Sequence, residues 1–316
     1  MIKRLNRLNI QLLFVSLTMT LTLASCYTGI EGTKQITDKD VRKAYSNAVH
    51  TNLDDSLKAY RDSLPTWKSG KTFTVADDQI RLIFSPSDKY DITKLRLAGK
   101  QLEYKGYTKS TLLDNRQILS LQFSDGENLL VYPSNKTLAE FNSKTTIPFL
   151  IDNDYVAYAN KLLQGKVLYV KTALWYDLAS EAMTSGRKYI AVRIDSVLPG
   201  NKVLPLKVAF TALDNGKSAF VWMAGADAFM SNRSFDSLFS LTDIHKSYPD
   251  INAETWEKII NGRVALDMTK EECTLSKGTP KNISRVPDQT GMREYWYYDG
   301  GTYLYFIDGI LRGFRE

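Results

Sequence analysis

Across 316 residues the chain holds only two cysteines, Cys26 and Cys273, and two histidines, His50 and His245. That scarcity excludes a disulfide-dense scaffold and a structural zinc site built from Cys and His. A Gly-x-Ser-x-Gly elbow is absent, and so is any glycine loop that cradles phosphate, which removes the familiar hydrolase and nucleotide-binding signatures. The acidic groups Asp77-Asp78 and Asp152-Asn153-Asp154 lack the spaced ligands and glycine of an EF-hand loop, so they read as exposed turns. No metal or cofactor is expected. Long apolar runs are missing too: the best, Ile10 to Ala24, is too short and too rich in threonine for a spanning helix. What is present is an ordinary folded composition, 43% hydrophobic and 24% charged, long enough for two or three domains. Whole-chain disorder, a collagenous chain and a polytopic membrane protein are thereby excluded.

The amino terminus has an address. Lys3, Arg4 and Arg7 open a stretch with no acidic residue among its first 25 positions; the apolar run follows, and Leu23-Ala24-Ser25-Cys26 closes it. This is the tripartite form of a secretory signal. The closing four residues resemble the lipobox of bacterial lipoproteins. The resemblance implies removal of residues 1–25 and diacylation of the Cys26 thiol, with palmitate the expected kind of chain, then acylation of the new amino terminus. Each buried methylene contributes about 0.8 kcal/mol, and several chains together make such an anchor stable. Tyr27 stands where Asp would signal inner-membrane retention, so the same resemblance implies the outer membrane of a Gram-negative envelope, facing the periplasm. Three bases leave with the signal; 38 basic and 35 acidic residues remain, a net of +3. That margin is too thin to argue for a nucleic-acid partner.

Residues 26–37 form a lipidated cysteine and short tether. Over 38–65, apolar residues at helical spacing (Val41, Ala44, Tyr45, Ala48, Leu53, Leu57, Tyr60, Leu64) predict an amphipathic helix ended by Pro65, with His50 and Asp54-Asp55 near its polar side. The period then changes to two. Residues 66–150 form a first β-rich unit, with strands at Lys71–Val75, Ile80–Phe84, Leu95–Leu97, Gln101–Tyr104, Ile118–Phe123 and Asn128–Tyr132. A second, 151–245, carries a helix-like run Tyr155–Leu163 and strands at Val167–Val170, Tyr189–Ile194, Leu206–Phe210 and Ala219–Met223. The two read as copies of one small barrel- or sandwich-like unit. Gly70-Lys71 matches Gly165-Lys166, Leu121-Gln122-Phe123 matches Val208-Ala209-Phe210, and Val131-Tyr132 matches Val221-Trp222.

Residues 246–316 change character. Asn252–Ile260 is a short helical run, and Thr269 with Glu272 forms a capping box that starts a second helix before Gly278 and Pro280. Strands follow at Arg293–Tyr298, Thr302–Ile307 and Ile310–Phe314. This order, with Ile260, Gly262, Val264, Met268-Thr269-Lys270-Glu271-Glu272, Gly278-Thr279-Pro280, Trp296-Tyr297-Tyr298, Tyr305-Phe306 and Asp308-Gly309, resembles the SmpA/OmlA (BamE-like) family of outer-membrane assembly lipoproteins. The resemblance covers 252–316. It implies two helices against a three-stranded antiparallel sheet, acting as an envelope interaction module with no catalytic residues to carry over. Asp267 departs from the family's usual Gly, Cys273 from its usual aliphatic residue, and Ser276-Lys277-Gly278 from its usual Leu-Gly turn.

The expected fold class is therefore α+β: an amphipathic helix, two β-rich units and this module. Strand alternation sets Tyr295 and Tyr297 on one face of the terminal sheet and Trp296 and Tyr298 on the other; one set packs on the helices, and the opposite set faces a partner or the preceding β units. Trp296, Tyr298, Tyr303 and Tyr305 are the candidate binding residues. His50 and His245 have no catalytic context, and Cys273 reads as a buried inert thiol. The function expected is a non-enzymatic, lipid-anchored binding or scaffolding protein with an envelope protein partner. Two other readings fit the same residues: a glycan- or peptidoglycan-binding lipoprotein using Trp67, Trp175 and Trp222, and a hydrolase with an unrecognised carboxylate site.

Overall fold

The structure, a computed structural model, describes residues 52–141, 145–225, 232–288 and 291–315. The expected signal and tether, Cys26, the first half of the expected amphipathic helix and His50 lie outside the described residues. Among the described residues no helix is long and apolar enough to cross a membrane. The described residues form an α+β fold with three antiparallel sheets.

The described helix α1 spans Asn52–Ala59 and stops well before Pro65. Beyond it the side chains anchor the chain elsewhere: the Tyr60 hydroxyl donates to Asp152 (3.3 Å) and the Trp67 indole N–H to Asp62 (2.8 Å). Pro65 sits at the start of a 3-10 turn, Leu64–Thr66, instead of ending a longer helix.

The first sheet runs β4-β3-β2-β1-β5, built from β1 (Thr72–Val75), β2 (Gln101–Thr111), β3 (Gln117–Ser124), β4 (Leu129–Pro133) and β5 (Leu150–Asp152). Its inward row, Phe73, Leu102, Tyr104, Leu121, Phe123 and Leu130, is buried, with the Phe73 and Phe123 rings edge to face at 5.7 Å. Two expected strands are not strands. Asp78–Leu82 is a 3-10 helix capped by Asp77, whose carboxylate accepts from Gln79 N–H. Asp78 in turn accepts from the backbone N–H groups of Leu97 and Ala98, fixing that segment as a loop. Local carboxylate-to-backbone bonds outcompete the ladder here.

Helix α2 (Asn153–Leu163) follows β5 and lies on the second sheet. That sheet contains β6 (Val167–Val170), β7 (Leu174–Tyr176), β8 (Met183–Ser185), β9 (Ala191–Pro199), β10 (Leu206–Ala212), β11 (Ser218–Met223) and β12 (Phe239–Ser240), which follows the short helix α3 (Phe235–Leu238). Its order is β12-β6-β9-β10-β11-β7-β8. Read without the β7–β8 hairpin, this is the plan of the first sheet, with β12 in the place of β5.

The likeness extends to single hydrogen bonds. Gly70 and Gly165 both have positive φ, and their N–H groups donate to Tyr104 O (2.9 Å) and Ile194 O (2.8 Å). In return, Tyr104 N–H donates to Lys71 O and Ile194 N–H to Lys166 O. A β-bulge falls at the same rung in each: Phe123 faces Tyr104 and Gln122 faces Gly106, while Phe210 faces Ile194 and Ala209 faces Ser196. One expected match moves. Phe123 pairs Leu130 in register where Phe210 is followed by a longer turn and pairs Ala219, so Tyr132, not Val131, corresponds to Val221.

The third sheet has four strands, β13 (Asn282–Asp288), β14 (Gly291–Tyr297), β15 (Tyr303–Ile307) and β16 (Ile310–Arg315), against α4 (Ala253–Ile260) and α5 (Lys270–Lys277). The extra strand β13 carries Pro287, which an edge tolerates because one side of its backbone needs no ladder bond. The capping box is formed: Glu272 N–H donates to Thr269 Oγ1 (3.2 Å) and Thr269 N–H to Glu272 Oε2 (2.6 Å). Asp267, standing where the resembled family has Gly, has φ +70, a left-handed conformation that suits Gly. Cys273 is fully buried in this core, and burial pushes its thiol up to about 12.

Candidate functional site

The aromatic residues of the terminal sheet divide by strand alternation. Trp296 is 5% exposed, packs on Phe306 with centroids 4.7 Å apart, and donates its indole N–H to Glu294 (2.6 Å). Tyr298 is half-buried against the same core and donates its hydroxyl to Gly278 O (3.1 Å), tying the end of α5 to the sheet. Both are core side chains: their positions alternate onto the helix-facing side with Leu304 and Phe306. Tyr303 and Tyr305 point the other way. They stand in register with Tyr297 and Tyr295, so the surface set is Tyr295, Tyr297, Tyr303 and Tyr305. Trp296 and Tyr298 give way in it to Tyr297 and Tyr295, a register that the Asp299-Gly300-Gly301 turn encodes.

Tyr295 and Tyr305 stack at 4.8 Å with 26° between planes, and Gly313, opposite Tyr305 on β16, leaves room beside the ring. Tyr297 and Tyr303 are 43% and 37% exposed. Behind this face Glu294 is 2% exposed and faces Lys270 Nζ (2.5 Å) and Arg285 Nε (3.4 Å). Burial alone would raise the Glu294 carboxyl; the Lys270 ammonium, the Trp296 indole and the Arg285 guanidinium together hold it below the usual range. The module docks on the second unit through its helices, where Tyr189 lies on Trp256 and the buried Lys188 ammonium donates to the Leu275 and Ser276 carbonyls at the end of α5. His245 stacks flat on Trp256 at 4.2 Å, a packing role.

A second feature was not legible as a site. The Lys71 ammonium, its side chain 6% exposed, sits among three carboxylates: Asp62 (2.9 Å), Asp152 (2.7 Å) and Asp154 (2.6 Å). Asp152 is therefore no exposed turn residue: it caps α2, accepting from Asp154 N–H (2.9 Å), and accepts from Tyr60 as well. Burial pulls the Lys71 ammonium down, but its bonds to the three carboxylates outweigh that and hold it above its ordinary value; burial raises Asp152, and burial with the three acids raises the Tyr60 phenol. Asp152, Tyr155 and Lys202 also line a cavity of about 340 Å³ between β5 and the β9–β10 turn, and Lys202 bonds Asp77 (2.9 Å) and Gln79 (3.2 Å). Trp67 and Trp175 are core residues, buried against Phe73 and Phe210.

No protein-family model matches this chain, and no curated protein matches it. The functional reading thus rests on the residues and their geometry.

Proposed function

We propose that this chain is a non-enzymatic, lipid-anchored component of a Gram-negative envelope, held at the outer membrane by acylated Cys26 and facing the periplasm, whose carboxyl-terminal module binds another envelope protein. The observation that carries the reading is the four-tyrosine face of β14 and β15. Tyrosine supplies large rigid contact area at low entropic cost and is enriched at protein interfaces. Here four rings lie on one sheet face, two of them more than a third exposed, and the helices that dock the module sit on the opposite side. The resemblance of 252–316 to the SmpA/OmlA family, an interaction module, points the same way.

The test is a photo-crosslinking amino acid placed at Tyr297 or Tyr303 in cells, with Leu82, 84% exposed on the first unit, as the control position. The expected result is a discrete protein adduct from the two tyrosine positions alone, lost in a Tyr295→Ser/Tyr305→Ser background. No protein adduct, together with retention on cell-wall polysaccharide, would replace this reading by the glycan-binding one. Anchoring is tested separately: Cys26→Ala should move the protein out of the membrane fraction, and unchanged membrane association would refute the lipid anchor.

A further inference from the structure

The cavity beside β5 has a composition that selects a ligand. Its volume, about 340 Å³, lies at the lower end of small-molecule pockets, which run roughly 300–1,000 Å³. Most of the wall is apolar, with Phe73, Ile147, Phe149, Ile151, Val203 and Pro205 contributing. Two features mark it as more than a packing gap. Phe149 is held at φ +66, an unfavourable conformation for a bulky residue, and Val203 at the rim is 74% exposed.

The polar end is acidic. Asp62, Asp152 and Asp154 surround a single ammonium, Lys71, whose three donors are all engaged, so three acids share one base, a formal net charge of −2. Asp152 is the member that lines the cavity. Its Oδ1 accepts from Lys71 and from Asp154 N–H, whereas Oδ2 has one bond, from Tyr60 at 3.3 Å. A carboxylate offers about four acceptor sites, so one remains on Oδ2. Lys202, which also lines the cavity, is engaged by Asp77 and Gln79, so an anionic head group would have to compete with Asp77 for it.

We propose that this cavity binds a small alkylammonium amphiphile, its apolar body against Phe73, Ile147 and Ile151 and its ammonium donating to Asp152. The site is independent of the tyrosine face, and either can fail without the other.

Calorimetric titration of the full chain carrying Cys26→Ala, with n-octylamine, 1-octanol and n-octanoate as probes, tests it. Saturable one-to-one binding of octylamine is expected, at least about tenfold tighter than octanoate, a difference of roughly 1.4 kcal/mol. Asp152→Asn should bring octylamine to the affinity of octanol. Because that change also loosens the Lys71 cage, Thr146→Trp supplies a second arm: Thr146 is an exposed lining residue, and the indole should block entry and abolish binding with the thermal midpoint unchanged. Octanoate binding as tightly as octylamine, no saturable binding of the amine, or amine binding untouched by Thr146→Trp would each overturn the proposal.

Discussion

The two β units carry the same five-strand order, the same Gly-Lys turn and the same bulge, yet they support these features by different means. In the second unit the bulge residue Asp195 is held by side chains: Gln164, the C-cap of α2, donates to its carbonyl (3.1 Å) and Thr211 to its carboxylate (2.7 Å). In the first unit Gly106 stands at the matching rung, at φ +137. The turn lysines diverge further. Lys71 is enclosed by three carboxylates, while Lys166, its counterpart, is exposed. The lesson is that backbone geometry persists because ladder bonds demand it, whereas side-chain roles follow whatever packs alongside.

The sharpest test of that contrast is the lysine pair. Lys71→Met should destabilise by about 3–5 kcal/mol, because it leaves three carboxylates together without their cation. Lys166→Met should stay within about 0.5 kcal/mol. Urea unfolding of both variants decides it, and equal losses would mean that the cage contributes nothing. The same pair reports on pH. Lys71 is held above its ordinary value of 10.5, so its contribution is fully present below pH 10.5 and lost as pH rises toward the folded value. Tyr60, raised above 10.0, acts in the same direction. The stability gap between wild type and Lys71→Met should therefore be constant from pH 6 to 9 and shrink above pH 10.5.

Smaller effects separate the bulges. Gly106→Ala should cost about 1–2 kcal/mol, since a Cβ there meets no atom within 4 Å and the penalty is conformational alone. Ser196→Ala, at the matching rung, should remain within about 0.5 kcal/mol. The smallest effect checks sameness instead of difference. Gly70→Ala and Gly165→Ala should each cost about 1 kcal/mol and agree with one another, since both glycines have positive φ and open surroundings. A marked inequality would show that the two turns are not equivalent.

Much of the scaffold was readable along the chain. Alternation in Leu119, Leu121, Phe123 and in Val208, Phe210, Ala212 marks half-buried strands, and Thr269 with Glu272 marks a helix start. What failed did so for identifiable reasons. Ile80–Phe84 has strand-like residues, but Asp77 and Asp78 bind nearby backbone N–H groups and make a 3-10 helix. Asn282–Asp288 lacked a strand signature because Pro287 is admissible only at an edge, and edges are decided by which strand lies last. The correspondence of Val131 with Val221 slipped by one residue because β-turn length, not residue likeness, sets register.

The candidate sites divide along the same line. That Tyr295 and Tyr297 share a face, opposite Trp296, follows from a period of two and needs no structure. Which face meets the helices was not determined, since both carry large apolar rings; packing of Trp296 and Phe306 onto α4 and α5 settled it. The scarcity of cysteine and histidine, the lipobox-like tetrapeptide and the alternating strands were properties of the chain by itself, because each depends on residues close in sequence. The Lys71 cage joins residues about 80 to 90 positions apart, and the cavity beside it lies between two units. Only tertiary structure brings such charges together, because burial is a property of the fold and not of any segment.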